Sequence, residues 1–127
     1  MQYQDRENMI SNYIGAYNQF DIDGMTADLA DNLVFENVQD GKVTMSLTGL
    51  DAFREQAEQA KAYFSERKQE IRSIRHSTDS TEVEIGYRAV LAIDFPNGLK
   101  KGQELNLSGR SVFAFRDGKI VKLTDLS

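Results

Sequence analysis

Five polar side chains in this sequence occupy positions that its hydrophobic pattern marks for the interior, and they are the groups that could do chemistry. Asn37 follows Leu33 and Phe35 on one side of a strand pattern, Asp125 follows Val121 and Leu123 on another, and Ser111 sits between Gly109 and Phe113. Tyr13 and Tyr17, four apart, lie on the same helical stripe as Met9, Ile10, Ile14 and Phe20. A polar group on an apolar face must find a partner or do work. An amide, a carboxylate, a hydroxyl and two phenols converging in a mostly apolar hollow make a small-molecule site. Phe35, Phe53, Phe64, Tyr87 and Phe113 are expected to supply its wall. A carboxylate held there would have its pKa raised by desolvation, which a general base working near neutral pH requires. Each group also has a plainer use. Asp125 is close to the last residue, Asn37 precedes the Asp40-Gly41 turn, and buried tyrosines commonly serve as core aromatics whose hydroxyls find a partner.

The elements that position these groups are organised around Thr81 to Phe95, TEVEIGYRAVLAIDF, where every odd position from Val83 to Phe95 is apolar. Alternation over that length predicts one long strand with a buried face, which needs sheet partners and a cover. Ahead of it, Asp5 to Phe20 reads as an amphipathic helix. Asp21 or Asp23 caps a second short helix carrying Met25 and Leu29, and Leu33 to Val38 pairs through Asp40-Gly41 with Val43 to Leu47. Asp21, Asp23 and Gly24 resemble the front of a calcium loop, but Asn32 stands where a closing glutamate belongs, so a capped turn is expected. A helix starting at Thr48-Gly-Leu-Asp51 runs to about Arg67 with Leu50, Phe53, Ala57, Ala60 and Phe64 on one stripe, and pairs Arg54 with Glu58. Lys68 to His76 is a strand whose Ile71 and Ile74 differ in parity, which predicts a bulge. Glu104 to Arg116 and Lys119 to Ser127, joined by Asp117-Gly118, complete an antiparallel meander. The class is α+β, a curved sheet wrapped around helices in a single domain over residues 1–127. On the opposite face, Val90, Ala92, Val112 and Ala114 predict an apolar patch and hence a homodimer through the outer sheet face.

Composition narrows the partners. A formal charge of -5 and a pI near 4.9 argue against nucleic acid or an anionic membrane. The absence of cysteine removes disulfides and thiol chemistry, and the single His76, expected to be exposed beside a turn, makes no metal site alone. No cofactor is called for. The segment MQYQDRENMI has no apolar signal region, and no run approaches the ~18 apolar residues of a membrane span, so a cytoplasmic location is expected.

Several stretches resemble the nuclear transport factor 2-like superfamily, and within it the SnoaL-like polyketide cyclases, the ketosteroid isomerases and the limonene-epoxide hydrolases. They are Ile14 to Phe20 with DIDGM after it, LADNLVFEN, the TGLDAF helix start and the closing SVFAFRDGKIVKLTD. The resemblance spans nearly the whole chain and implies a cystatin-like cone, N-terminal helices packed in a curved antiparallel β-sheet, with a deep pocket. Tyr13 falls on the isomerases' oxyanion-hole tyrosine, but their base aspartate falls on Asn37 and their protonated aspartate on Ser111, so that proton shuttle has no base. Phe35, Asn37 and Asp125 fall on part of the epoxide hydrolases' water relay, whose arginine and other aspartate fall near Tyr87 and Ala89. The cyclase resemblance implies acid/base chemistry without cofactor or metal, with Asp125 taking a proton while Tyr13 and Asn37 hold an enolate oxygen. Two functions follow as expectations: a pocket that binds a small hydrophobic molecule without catalysis, or a cofactor-independent acid/base enzyme of cyclase, isomerase or hydratase type.

Overall fold

A computed structural model describes residues 1–127. The chain forms α1 (Tyr3–Asn18), α2 (Ile22–Thr26), β1 (Leu29–Gln39), β2 (Lys42–Thr48), α3 (Leu50–Lys61), β3 (Phe64–His76), β4 (Ser80–Leu91), β5 (Glu104–Arg116) and β6 (Lys119–Leu126). One six-stranded sheet runs β2-β1-β6-β5-β4-β3. All its pairings are antiparallel except β1 with β6, because the closing strand slots between the β1–β2 hairpin and the meander. The helices cover the face to which odd positions of β4 and β5 point, and Ile10, Leu33, Val83, Phe113, Ile120 and Leu123 form the fully enclosed centre. The bulge expected from Ile71 and Ile74 is present as a register shift between Ile71 and Ser73.

Several boundaries differ from the sequence expectation. The third helix stops at Lys61, and Phe64 to Arg67 already belong to β3, so an apolar spacing that suits a helix is overridden by pairing of Phe64 with Leu91 and Arg67 with Ala89. Thr48 does not cap α3: its N-cap is Gly49, at φ 96°, a region that glycine enters without penalty. Leu29 opens β1 rather than extending α2, and the long strand ends at Leu91, leaving Ile93 exposed. Arg54 pairs with Asp23 and Thr26 instead of Glu58, tying α3 to α2. The acidic turn is consumed by the fold, since Asp21 Oδ1 accepts from the Gly24 amide at 3.0 Å and Asp23 is the partner of Arg54. His76 is not exposed. Its side chain keeps 13 % of its surface, stacks on Tyr3, and places its ring nitrogens 2.9 Å from Thr81 Oγ1 and Glu7 Oε2.

The outer apolar patch does not assemble. Val90 lies opposite Glu104 and Val112 opposite Glu82, eight residues apart along β5, roughly 26 Å at strand rise. Ala92 falls beyond β4, and Val112 and Ala114 are neighboured by Thr124 and Lys122. Parity alone put these four residues together; register separates them, and the homodimer loses the feature that suggested it.

One buried cation holds the helical layer to the meander. Arg6, on α1, donates from Nη1 to the Ser77 and Ser80 carbonyls at 2.7 and 3.1 Å and from Nη2 to the Thr78 carbonyl at 2.5 Å. It thereby clamps the β3–β4 turn, with its guanidinium 5.2 Å from the rings of Tyr3 and Phe115. Charged hydrogen bonds of this kind contribute about 1.5–3 kcal/mol each, part of which water restores at a turn. Arg6→Ala is therefore expected to destabilise by about 2 kcal/mol, read as a lowered urea midpoint; an unchanged midpoint would show the clamp to be incidental.

Candidate functional site

Sheet register builds the site. Met45 pairs with Asn37, Asn37 with Asp125, Asp125 with Ser111, and Ser111 with Val83, so five strands contribute one row of side chains to the helix-covered face. The end of β6 is held on both sides. The Ser127 amide donates to Val38 and its carbonyl accepts from Asp40, while the Leu126 carbonyl lies where a Cβ on Gly109 would meet it at 2.8 Å. Only a glycine at 109 lets the strand close in this way, and Asp125 is consequently fixed rather than frayed.

Above this row, a cavity of about 250 Å³ is lined by Tyr13, Tyr17, Met25, Phe35, Asn37, Met45, Phe53, Gln56, Ala57, Ala60, Arg67 and Asp125. Four other hollows are larger; two of them, about 480 and 380 Å³, are grooves on the outer face lined mainly by charged and polar groups such as Arg72, Glu84, Arg88 and Arg110, and the other two lie at the surface beside α1. The 250 Å³ cavity is the mostly apolar hollow with convergent polar groups that a small ligand needs.

Within it, Asp125 Oδ1 accepts from Ser111 Oγ at 2.7 Å, and Oδ2 takes no hydrogen bond from the protein. Burial raises the Asp125 pKa from 3.8 to about 6, against a smaller lowering by the Ser111 hydrogen bond. The carboxylate is thus ionised at neutral pH yet basic enough to accept a proton. Tyr13 is 7 % exposed, and its hydroxyl makes no hydrogen bond within the protein. Arg6 Nε is the one sealed-off side-chain nitrogen or oxygen without a partner, so the Tyr13 hydroxyl must reach the cavity space. Desolvation, then the charge of Asp125, push its pKa far above the ordinary phenol value, with Arg67 opposing. Tyr13 therefore stays protonated, with a hydroxyl proton available to donate. Asn37 lies beside Asp125 along the parallel pairing; its side-chain amide makes no hydrogen bond within the protein, and its backbone carbonyl accepts from Thr44 Oγ1.

The other residues expected in the wall divide. Tyr17, Phe35 and Phe53 line the cavity, with Phe53 set between Phe35 and Tyr13 at ring distances of 5.5 and 6.5 Å. Phe113, Phe64, Tyr87 and Ser111 do not. Phe113 is 1 % exposed and packs edge-on behind Tyr13 at 5.8 Å, as core. Phe64, displaced from α3 into β3, joins Tyr63, Tyr87 and Phe95 in a separate aromatic cluster. Tyr87 accepts a hydrogen bond from the Tyr17 hydroxyl at 3.1 Å, and Ser111 acts through Asp125. Sequence reasoning missed Arg67, Met25, Met45 and Gln56. Arg67 shares parity with Gln69 and Ile71, which face the helices, and a cation at inward parity is a signal once the strand is known to begin at Phe64.

Comparison with known proteins is consistent with this architecture. The SnoaL-like domain family matches residues 10–123. The chain belongs to the SnoaL-like family. Its fold is shared with a candidate polyketide cyclase from Xanthomonas campestris pv. campestris, at 22% identity and TM-score 0.77 over 98% of this chain and 90% of that one. AclR, a candidate hydroxylase from Streptomyces galilaeus, matches at 18% identity and TM-score 0.77, covering 98% and 89%. A cystatin-fold protein from Novosphingobium aromaticivorans matches at 16% and 0.72, covering 94% and 96%. These likenesses establish the nuclear transport factor 2-like, cystatin-like fold and nothing finer. Comparison with curated proteins finds no match. No helix is long and apolar enough to cross a membrane.

Proposed function

We propose that this SnoaL-like protein is a cofactor-independent acid/base enzyme acting on a small, largely apolar carbonyl compound, with Asp125 as the base. The supporting observation is a desolvated carboxylate, one oxygen held by Ser111 and the other open to a cavity into which the unpartnered Tyr13 hydroxyl also reaches. In the proposed step, Asp125 Oδ2 takes the proton from a carbon next to the substrate carbonyl. The C–H electron pair moves into the enolate, whose oxygen is held by donors from Tyr13 and the Asn37 amide, aimed where charge develops. The protonated Asp125 then returns the proton to a different carbon of the enolate, to a hydroxyl that leaves as water when its C–O bond breaks, or to the alkoxide produced when the enolate carbon bonds to a second carbonyl of the substrate. The cavity admits one or two rings, since about 150 Å³ already accommodates benzene.

The second reading, a non-catalytic pocket for a small hydrophobic molecule, is favoured by one observation: no second carboxyl group lines the cavity beside Asp125. Deuterium exchange separates the two. A panel of one- and two-ring ketones in D2O, followed by proton NMR, should show protein-dependent exchange at the carbon next to the carbonyl. The rate should rise with pH through about 6 and level off above it, as Asp125 loses its proton. Tyr13→Phe should slow exchange about 10²- to 10³-fold, given the usual worth of one such donor. Ketones that bind without exchanging would select the non-catalytic reading.

A further inference from the structure

Arg67 is the one charged side chain of the cavity that neither the proposed proton transfer nor the fold accounts for in full. It is 6 % exposed, and no carboxylate lies within ion-pair distance of it. Of its five N–H donors, the structure gives one an oxygen acceptor: Nε donates to the Tyr17 carbonyl at 2.8 Å, at the C-terminal end of α1, a helix with no basic residue in its own last turn. Nη2 finds only the Met25 sulfur at 3.9 Å, a weak acceptor, and Nη1 finds nothing. Nη1, which has no partner, is not sealed off from accessible space, so it reaches the cavity that Arg67 lines.

The surroundings do not satisfy the group. Tyr17 and Phe20 present their rings 3.8 and 4.4 Å from the guanidinium carbon, cation–π contacts that supply no oxygen acceptor to its N–H groups. Nη1 and Nη2, the pair that matches a carboxylate in a two-pronged grip, are left without an oxygen acceptor. Asp125 is not that partner. No ion pair joins the two residues, and the Asp125 carboxyl is governed by burial and Ser111, with no lowering from Arg67. Burying an uncompensated guanidinium is costly, so an unpaired one facing a cavity signals an anion that arrives with the ligand.

We propose that Arg67 anchors a carboxylate on the ligand, so that the molecule taken by this cavity is a small one- or two-ring carboxylic acid whose anionic group sits on Arg67 and whose apolar ring lies against Phe35 and Phe53. This rests on the reading of the cavity as a ligand site, and holds whether or not Asp125 catalyses. With the enzyme reading, the substrate class becomes a cyclic keto acid in which the carboxylate orients the molecule and a different carbon presents its proton to Asp125.

Matched probes test it: 1-naphthoate against 1-naphthamide, and indane-1-carboxylate against its amide, titrated calorimetrically into the full chain at pH 7.5. Each carboxylate should bind at least about tenfold tighter than its amide, the scale of a charged hydrogen-bonded contact. That preference should vanish in Arg67→Met, which keeps the stacked stem, and survive in part in Arg67→Lys. Carboxylate binding should also raise the Asp125 pKa by adding a second negative charge to the cavity, which reports that the acid enters this cavity. Equal binding of acid and amide to the unaltered protein, or a preference that persists in Arg67→Met, would overturn the anchor while leaving the cavity a ligand site. Failure of every probe to bind would overturn the cavity reading and the anchor with it. The comparison on the unaltered protein stands even where a variant folds poorly.

Discussion

Asp125→Asn is expected to stabilise the folded protein near neutral pH and to abolish exchange activity in the same step. An acid whose folded-state pKa lies above its unfolded value favours folding most below the unfolded value. For Asp125 that advantage is lost as pH rises from 3.8 through about 6. Above that window both states are ionised and the native state carries the whole burial penalty. At about 1.4 kcal/mol per tenfold change in proton affinity, this is roughly 3 kcal/mol at most. An asparagine keeps an oxygen for the Ser111 hydroxyl and removes the charge, but brings an amide NH2 that needs an acceptor. A net gain of about 1–2 kcal/mol at pH 7.5 is therefore expected, shifting Tm upward by several degrees. At pH 4 the gain should be nearly absent, because the native carboxyl is then protonated. Exchange catalysis should fall by about 10²- to 10⁴-fold, the usual contribution of a positioned base. Thermal melts at the two pH values check the first part. A variant less stable at pH 7.5, or equally stabilised at both, would show that Asp125 is solvated and not poised as a base. The pattern is the exchange of stability for activity expected where a site holds a charge out of water.

Phe113→Ala should have the largest purely structural effect. Its ring is 1 % exposed, packs edge-on against Tyr13, and lies in a row that runs from Leu47 through Phe35 and Leu123 to Phe113 and Thr81. Truncating a fully enclosed phenylalanine removes its transfer energy and leaves a cavity, at about 3–5 kcal/mol. Urea denaturation should show a lower midpoint with an unchanged slope. The lost backing should also let the Tyr13 ring move, so ligand affinity is expected to fall although Phe113 does not line the cavity. A loss below about 1 kcal/mol would mean that the surrounding chains collapse into the gap and that the wall behind Tyr13 is soft.

The two variants separate the tasks that one row of the sheet and the next perform. The Leu47-to-Thr81 row is packing except for Phe35, which also lines the cavity, and the neighbouring Met45-to-Val83 row carries the polar groups. The sheet thus offers Asp125 and Asn37 a rigid platform, while α1 brings Tyr13 from above and β3 contributes Arg67 from the side. Groups placed on paired strands and a packed helix keep their geometry better than groups on loops, which suits proton transfer over short distances.

Local pattern was enough to determine the α+β class, the inward parity of Asn37, Ser111 and Asp125, the shared stripe of Tyr13 and Tyr17, and the bulge near Ile71, because each depends on spacing within one element. Tertiary structure alone decided the end of α3 at Lys61, where strand pairing outweighed a helical spacing. It also dispersed the outer patch, since cross-strand register is invisible in any single strand. The same cause hid Arg67: once Phe64 to Arg67 were read as helix, the cation had no inward side to occupy. Whether Phe64, Tyr87 and Phe113 faced a cavity or filled the core depended on how helices and sheet close over one another, a distance in space that alternation along the chain does not encode.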